Sequence, residues 1–379
     1  MIRRVKMRLM HIVDAATAED GARLLSLLLD RLPFAEMEQE VLTIGQPPAA
    51  LRVPAQTPLH RIGRRFGAGL VWGVDIRRVV KARQPDVLHA WSMEAAALGS
   101  MAAERGQLAA SLSDPAEAQT ASRWWRSSAT AASGAIVCST KLVQRKVIEA
   151  GVPADVTMVI RSGVDFAAIR AAKAKADRAS LGLPPQGRVL VTPSPPSRAG
   201  GHFLAFWAMA ILHQLWPDAR LIIPGESREQ QRLSRLLKEV YCPEVFLLVG
   251  DRFQPAELLS VADALVAPAT ADVPTGWLAW SMAASVLVIG AAVPAIAELI
   301  ADRQNGFLYY PGDVHALAVR VRTAFDSPEL MRQCAETARG QAYDVFRAQA
   351  CVDQYLRLFQ NLRAGRRPND GVRDTAVDA

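Results

Sequence analysis

The sequence predicts an α/β protein with two domains, each built on a parallel β-sheet that is doubly wound with helices on both faces. Three observations predict this architecture. Short apolar runs recur along the chain, segments with helical periodicity separate them, and the series pauses once near the middle. With 379 residues, of which 50% are hydrophobic and 21% charged, the chain is long enough for two hydrophobic cores and too apolar to be disordered.

The predicted strands are mostly continuous apolar runs, which is typical of strands that helices cover on both faces. In the first half they are RLMHIVD, EVLTIG, DVLHAW, GAIVCS and VTMVI, and in the second half RVLVTPS, ARLIIPGE, VFLLVG, ALVAPA and VLVIGA. Between the first two runs, residues 22–32 place their leucines on one helical face. Strands and helices that alternate at this spacing favour parallel sheets.

The alternation of strands and helices is interrupted over residues 162–187, a segment rich in Ala, Lys and Arg that ends near Gly-Leu-Pro-Pro. We place the domain boundary there. The predicted parts are an N-terminal domain over 1–165, a C-terminal domain over 166–340, a helix over 341–362 that returns to the N-terminal domain, and a polar, aperiodic and therefore disordered tail over 363–379. Ligands of open parallel sheets bind outside the carboxyl ends of the strands, so we expect the site in a cleft between two facing domains.

Cysteine usage and hydropathy favour a cytoplasmic protein. The four cysteines are Cys138, Cys242, Cys334 and Cys351. They lie far apart and form no CxxC motif, so we expect reduced thiols and no metal centre. The basic N-terminus is followed by an apolar run too short for a secretory signal. The longest apolar stretch, residues 203–216, predicts a buried helix and is too short to span a membrane.

The net charge of +7 favours an anionic partner, such as a nucleotide diphosphate, a nucleic acid or an acidic membrane surface. Residues 61–83 hold seven Arg and Lys against one Asp, and residues 122–127 place two Trp between two Arg. These segments predict peripheral contact with an anionic membrane, at its cytoplasmic face, although a solvated helix face explains 61–83 equally well. No nucleic-acid partner is expected, because no recognised binding motif accompanies the charge.

Several segments, taken in order, resemble a known enzyme family. They are MRLMHIVD with Gly21 in the helix that follows, QPDVLHAWS, SGAIVCST, GVPADVTMVIRSGVD, VFLLVGDRFQPAELLSVADALVAPA and IAELIADRQNGFLYYPGDVHALA. Their order and spacing resemble retaining glycosyltransferase family 4 over most of the chain. The resemblance implies the GT-B fold, two Rossmann-like domains facing across a cleft. It also implies transfer of a sugar from a nucleotide-diphosphate donor to an acceptor with retention, in glycan or cell-surface polysaccharide synthesis.

The family is expected to need no metal or other cofactor, since the nucleotide sugar is the substrate. That expectation is physically reasonable, because a helix N-terminus and basic side chains can neutralise a leaving diphosphate. The donor would lie on the C-terminal domain. The acceptor, an unidentified sugar or lipid-linked molecule, would lie on the N-terminal domain, where Gly21 matches the family's glycine.

The loop in VTPSPPSRAGGHF is the predicted diphosphate loop, and it departs from the family pattern. The family's Arg and Lys fall on Pro195 and Gly200. Arg198 could reach a phosphate in their place, because a long side chain tolerates an offset, or it is only a solvated cation. At the start of the following helix, Gly201 and His202 are further candidate phosphate contacts.

The family's pair of glutamates falls in DVPTGWLAWSMAASVLVIG, residues 272–290. Asp272 takes the first position and is the candidate catalytic carboxylate, or else an N-cap or turn residue. Trp280 takes the second, where an indole cannot hold a ribose through paired hydroxyl contacts because it donates one hydrogen bond and accepts none. Thr275 and Gly276 could offer backbone N–H groups to a diphosphate.

The other candidates lie outside these two segments. Gly225 matches a glycine turn near the donor, and Glu298 either contacts the nucleotide or caps its own helix. His89 lies in a predicted strand and is interpreted as a core residue. Residues 108–118 lack the family's histidine, for which Asp114 or Ser113 are the alternatives.

Two function hypotheses follow. The first is an active glycosyltransferase with an altered donor site. The second is a catalytically inactive homologue that acts as a binding or scaffold protein, favoured by the combined loss of the Arg, the Lys and the second Glu. Another GT-B activity, such as a nucleotide-sugar epimerase, is a third alternative, for which the sequence shows no separate motif. The chain carries no Gly-x-Ser-x-Gly, Walker or His-Glu-x-x-His motif that would point to other chemistry.

Overall fold

The computed structural model describes residues 6–63, 69–103, 107–127, 134–240 and 242–370. The chain forms two compact units. Unit 1 comprises Met1–Arg161 with Gln349–Ala379, and unit 2 comprises Ser162–Ala348. Each unit contains one parallel sheet, so the predicted α/β architecture of two such domains is confirmed.

Unit 1 has a seven-stranded sheet in the order β3-β2-β1-β4-β5-β6-β7, in which all neighbours are parallel. The strands are β1 Met7–Asp14, β2 Met37–Ile44, β3 Leu59–Ile62, β4 Val87–Ala90, β5 Leu108–Leu112, β6 Ala135–Cys138 and β7 Thr157–Val159. The helices between them are α1 Glu19–Arg31, α2 Gly69–Arg83, α3 Met93–Ser100, α4 Ala118–Ser127 and α5 Lys141–Glu149.

Unit 2 has a six-stranded parallel sheet in the order β10-β9-β8-β11-β12-β13. Its strands are β8 Val189–Val191, β9 Arg220–Pro224, β10 Phe246–Gly250, β11 Ala264–Ala267, β12 Leu287–Ala291 and β13 Phe307–Tyr309. Its helices are α6 Phe166–Ala174, α7 His202–Leu212, α8 Arg228–Leu236, α9 Pro255–Val261, α10 Gly276–Ala283, α11 Pro294–Ala297, α12 Val314–Asp326 and α13 Pro328–Val345. The last helix, α14 Ala348–Arg363, lies almost entirely in unit 1.

The hydrophobic core of each unit is formed by the apolar runs of its strands and the apolar faces of its helices. In unit 1 the leucine face of α1 packs in one buried cluster with β1 and with α14, and Leu25, Leu28 and Phe359 are each 0% exposed. In unit 2 a single cluster gathers the strands and the inner faces of the helices around them. Truncating one such buried leucine to alanine typically costs about 2–5 kcal/mol, so these faces hold α1 and α14 on the sheet.

Three strands were not predicted: β3, β5 and β13. β5 reads LAASL, whose Ala and Ser residues have low strand propensity, yet all five of its residues are buried. β3 reads LHRI, which is not a continuous apolar run, and β13 is only three residues long.

The end of the chain also differs from the expectation of one helix and a disordered tail. Two helices, α13 and α14, cover this region, and the chain passes from unit 2 to unit 1 between them. Residues 364–370 contact unit 1, where the Asn369 side chain donates to the Thr157 carbonyl at 3.1 Å and Arg367 pairs with Asp155 at 2.8 Å. Residues 371–379 lie outside the described residues.

The long apolar helix is not wholly buried, contrary to the prediction. Trp207 and Ile211, one turn apart on α7, are 44% and 48% exposed. The inner face carries Phe206 and Met209, which are fully buried. Among the described residues, no helix is both long enough and apolar enough to cross a bilayer.

The segments predicted to contact a membrane are described only in part, since residues 64–68 lie outside the described residues. On the described part of α2, the Arg77 guanidinium donates to the Met101 carbonyl at 2.8 Å, and Arg83 lies 3.6 Å from the Glu40 carboxylate. Some of the basic side chains in 61–83 therefore have partners within the protein, and membrane contact stays a prediction.

Both sheets reverse their strand order at one point, which positions the candidate sites. In unit 1 the reversal lies between β1 and β4, and in unit 2 between β8 and β11. The connections that leave these neighbouring strands go to opposite faces of the sheet and leave a crevice at the carboxyl edge, where open α/β sheets bind their ligands. Each unit therefore has one crevice, called here its switch point.

Candidate functional site

The switch point of unit 2 is formed by loops that hold one another through hydrogen bonds. The loop after β8, residues 192–201, accepts a hydrogen bond from the Thr270 N–H to the Ala199 carbonyl at 2.8 Å. It accepts another from the Ser227 hydroxyl to the Pro196 carbonyl at 2.6 Å. Since Thr270 follows β11 and Ser227 follows β9, the loop is held on both sides at the carboxyl edge.

Two predicted glycines are required by the close approach of these loops. Gly201 has φ +66°, and a Cβ there would overlap the Pro268 carbonyl oxygen. Gly225 has φ +92°, and a Cβ there would overlap the Ser194 hydroxyl and lie 2.8 Å from the Pro195 Cα. Both positions combine a left-handed backbone with a tight contact, so only glycine fits without rearrangement.

The His202 side chain stabilises the loop after β8 by contacting its backbone. Its Nε2 lies 2.8 Å from the Pro193 carbonyl, and the Ser197 N–H donates to Nδ1 at 3.3 Å. A neutral ring protonated at Nε2 satisfies both contacts. Burial of the ring lowers the pKa of His202, which also favours the neutral form. The prediction of a direct phosphate contact does not match this geometry, because both ring nitrogens are engaged by the loop backbone.

Arg198 is the only cation in this loop, and its side chain is exposed. Its carbonyl accepts the turn-forming bond from the Gly201 N–H at 3.1 Å. Within the described ranges, its guanidinium makes no hydrogen bond or ion pair with another residue. It is therefore available to an anion at the carboxyl edge.

The second group of predicted residues surrounds the start of α10 and the short helix α11. The Asp272 Oδ1 accepts a hydrogen bond from the Ala295 N–H at 2.9 Å, so this carboxylate caps α11. Glu298 ends the same helix. Thr275 is buried at the N-cap of α10, and Gly276 is its first residue. The structure thus shows the capping alternative for Asp272, while a catalytic role stays a prediction.

At the positions that depart from the family pattern, the structure provides no charge. Pro195 is exposed, Gly200 is buried beside the His202 ring, and Trp280 packs partly buried against the unit 2 core. In the part of the chain that the structure describes, no group of three or more His, Cys, Asp and Glu residues could hold a metal ion.

Unit 1 has its own polar cluster at the switch point, which the sequence did not single out. The Asp14 carboxylate ends β1 and accepts a hydrogen bond at 2.9 Å from Ser92, which follows β4. The Glu117 carboxylate accepts one at 2.9 Å from the Met93 N–H at the start of α3. A polar residue at or just beyond the end of each of two neighbouring strands is a signal that could have found Asp14 and Ser92. No pattern marks Glu117, which follows β5 through a short 3₁₀ turn.

Gly21 lies inside α1 and faces the same place. A Cβ at Gly21 would be 3.6 Å from the Trp91 ring, 3.7 Å from the Thr17 methyl and 3.8 Å from the Ser113 hydroxyl. These are ordinary contact distances, so its protein neighbours do not require a glycine here. Its position beside the unit 1 switch point is compatible with the predicted substrate contact, which stays a prediction.

His89 is a core residue, as interpreted from the sequence. It is 0% exposed, and its Nε2 lies 2.8 Å from the Ser111 hydroxyl. Its ring packs on Trp91 with a centroid separation of 4.4 Å.

Comparison with known proteins decides the family. The family model for "Glycosyl transferases group 1" matches residues 173–341, and the model for "Glycosyltransferase Family 4" matches residues 22–168. The chain belongs to glycosyltransferase family 4. The two models match in the order in which the resemblance predicts them, and together they cover most of both units.

Two curated relatives resemble part of this family 4 protein. The N-acetyl-alpha-D-glucosaminyl L-malate synthase of Bacillus anthracis is 28% identical over 145 residues, which are 38% of this chain and 38% of that protein. The putative glycosyltransferase EpsD of Bacillus subtilis (strain 168) is 29% identical over 143 residues, 36% of this chain and 35% of that protein. The matches span little more than a third of either relative.

Solved structures resemble the family 4 protein over nearly its whole length. The crystal structure of Anabaena HepE in complex with UDP and glucose has a TM-score of 0.76 at 19% identity, covering 92% of this chain and 98% of that chain. At this identity the likeness shows the fold alone. The fold is GT-B, and the predicted fold class is confirmed.

Proposed function

We propose that this family 4 protein transfers a sugar from a nucleotide-diphosphate donor to an acceptor, with retention at the anomeric carbon. The observation that supports the proposal most is the unit 2 switch point, where interlocked loops place one unpaired cation, Arg198, at a carboxyl edge. The similar fold of HepE, which has been crystallised with UDP and glucose, supports a uridine diphosphate donor.

In this proposal unit 2 holds the donor diphosphate. The N-terminal ends of α7 and α10 both lie at the carboxyl edge, and a helix N-terminus carries partial positive charge that favours a phosphate. Arg198 supplies the full charge at this edge. Asp272 stabilises the positive charge that develops at the anomeric carbon, and Glu298 contacts the nucleotide.

Donor binding is the first test. UDP, GDP and ADP, with their common sugars, are titrated into the full-length protein by calorimetry. Saturable binding of one nucleotide is expected, and Arg198→Ala weakens it by about tenfold or more, because one charge-assisted contact to phosphate contributes about 1.5–3 kcal/mol. Arg322→Ala, an exposed arginine on α12, is the matched control and leaves affinity unchanged. The anomeric configuration of any product, read by NMR, tests retention.

The inactive homologue is the second candidate, and a specific observation favours it. Pro195, Gly200 and Trp280 leave three positions of the family's donor site without charge or acceptor. If two phosphate contacts are lost at about 1.5–3 kcal/mol each, donor affinity falls by several orders of magnitude. Failure of every nucleotide to bind would favour a scaffold role and contradict the transferase.

The acceptor and its location follow the same proposal. We propose a sugar or lipid-linked acceptor in polysaccharide synthesis, with peripheral contact to an anionic membrane through 61–83 and 122–127. Co-sedimentation with vesicles tests the contact. Binding should require anionic lipid and weaken as salt rises, and equal sedimentation with neutral vesicles would contradict it.

A further inference from the structure

The switch point of unit 1 gathers four carboxylates. Asp14 ends β1, Glu94 is the second residue of α3 after β4, and Asp114 and Glu117 follow β5. The Asp14 carboxylate contacts Ser92 and the Glu117 carboxylate contacts the adjacent Met93, so these two carboxylates lie near each other. Asp114 and Glu94 lie near enough to Glu117 for their charges to raise its pKa. Because β1 and β4 are the neighbours at which the strand order reverses, this place is where an open α/β sheet binds its ligand.

One carboxylate oxygen of Asp14 has several hydrogen-bond partners, and the other has none among the described residues. Its Oδ1 accepts hydrogen bonds from the Ala16 N–H, the Thr17 N–H, the Thr17 hydroxyl and the Ser92 hydroxyl, at 2.9–3.2 Å. Its Oδ2 is buried and accepts no hydrogen bond from a described residue. The side chain is only 4% exposed, and an unsatisfied buried carboxylate oxygen is costly unless a ligand completes it.

Glu117 is a partly exposed member of the cluster, between the buried Asp14 and the exposed Glu94. One carboxylate oxygen accepts the Met93 N–H, and the residue stays partly exposed. The pKa of this carboxyl is raised to about 7, chiefly by burial and also by the nearby charges of Asp114, Asp14 and Glu94, while the bond from the Met93 N–H lowers it. A cation bound beside Glu117 would offset this repulsion.

The described residues provide no such cation. None of these four carboxylates forms an ion pair with a Lys, Arg or His among the described residues, although the chain as a whole carries a net charge of +7. The described residues also do not arrange three ligands for a metal ion. A compact organic cation with several N–H donors fits this environment better, because an ammonium offers three.

We propose that the unit 1 switch point binds the ammonium group of an amino-sugar acceptor, with Glu117 and Asp14 as its carboxylate partners. That the bound molecule is an acceptor rests on the proposed function, whereas the binding itself does not. The same carboxylates repel an acceptor that carries a carboxylate, so this chain is expected to differ from the L-malate synthase it resembles.

Two sugars of matched shape test the proposal. 6-Amino-6-deoxyglucose and glucose differ only in an ammonium that replaces a hydroxyl, and each is titrated into the full-length protein at about pH 8 by calorimetry. The amino sugar is expected to bind about tenfold or more tightly, and the preference falls towards about pH 5 as Glu117 takes up a proton.

Glu117→Gln should abolish most of that preference, because the amide keeps the bond to the Met93 N–H but carries no charge. Asp155→Asn removes a carboxylate elsewhere in unit 1 and should leave the preference intact. Equal binding of the two sugars, no saturable binding of either, or a preference that survives in Glu117→Gln overturns the proposal.

The same samples separate this proposal from the proposed function. UDP titration reports on unit 2, so loss of UDP binding with intact amino-sugar preference would contradict the transferase and leave the ammonium site standing. UDP binding without an amino-sugar preference would overturn the ammonium site and leave the transferase proposal standing. L-malate, titrated in parallel, should not bind, and saturable malate binding that Glu117→Gln leaves unchanged would also overturn the ammonium site.

Discussion

The Tyr355 hydroxyl lies 2.9 Å from the Ser111 hydroxyl, which joins α14 to the middle of the unit 1 sheet across 244 residues of sequence. Ser111 also contacts His89 Nε2 at 2.8 Å, so the tyrosine completes a buried polar chain. The ring of Tyr355 packs against Phe359 and His89 in the same cluster. The C-terminal helix is therefore an integral part of the unit 1 core.

Tyr355→Phe is expected to destabilise unit 1 by about 0.5–1.5 kcal/mol, because the hydroxyl contact is lost while Ser111 keeps its bond to His89. Tyr355→Ala should cost about 3–5 kcal/mol, since it also leaves a cavity under α14. Denaturant unfolding of the full chain, followed by hydrogen exchange of the unit 1 backbone amides, measures both. A smaller loss for alanine than for phenylalanine would contradict this packing.

Stability should fall in acid because two buried histidines must stay neutral. Trp91 donates to His11 Nδ1 at 3.2 Å, and burial lowers the pKa of His11 to about 3 and that of His89 well below its usual range. Above about pH 6.5 neither state of the protein protonates them, so their full contribution is present. Below it, only the unfolded chain takes up protons, and stability falls by about 1.4 kcal/mol per histidine for each pH unit.

The measurement for this prediction is the denaturant midpoint of unit 1 between about pH 7 and pH 4. The acid slope of the unsubstituted protein is compared with that of His11→Gln. His11→Gln should flatten it if the variant folds, and any fall in its stability at about pH 7 is recorded separately. An acid slope that is the same in His11→Gln and the unsubstituted protein would refute the account.

Much of the fold could be predicted because buried parallel strands read as continuous apolar runs, as in β1 and β12. β5 could not, because its Ala and Ser residues resemble a loop or helix, and they are buried only once helices pack on the sheet. The sequence predicted that a C-terminal helix returns to the N-terminal domain, as α14 does. It did not predict that α13 and α14 are separate helices. Nothing local in Asp344–Arg347 marks a helix end as a proline or glycine would.

The candidate site was predictable where backbone conformation dictates the residue, as at Gly201 and Gly225. It was not predictable where the role depends on a partner distant in sequence. The capping of α11 by Asp272 and the contact of His202 with Pro193 need the folded loops. Glu117 is the clearest case, since its raised pKa arises from burial and from carboxylates of which two, Asp14 and Glu94, lie on distant segments.

Gly201→Ala and Gly225→Ala are each expected to destabilise unit 2 by more than about 1 kcal/mol and to weaken nucleotide binding. In each case a Cβ would meet the neighbouring loop, and the left-handed backbone adds strain. Gly340→Ala is the matched control, because a Cβ there would meet nothing within 4 Å on α13. The helical control should gain about 0.5–1 kcal/mol. Thermal unfolding with and without UDP measures both effects, and equal responses at all three positions would contradict the loop geometry.

The contribution of Glu117 to stability should depend on pH in the opposite sense from that of the histidines, and Glu117→Gln tests this. Because the folded-state pKa of Glu117 is raised to about 7, the folded protein binds the proton more tightly, and stability is lost as pH rises from about 4.5 through 7. The glutamine variant lacks this penalty, so it should be more stable than the unsubstituted protein at about pH 8, by about 1–2 kcal/mol, and close to it at about pH 4. Unfolding at both pH values, with Asp155→Asn as the control carboxylate, measures the difference. If Glu117 were instead held by an internal cation, the substitution would destabilise unit 1 at about pH 8, and that result would also remove the electrostatic basis of the ammonium site.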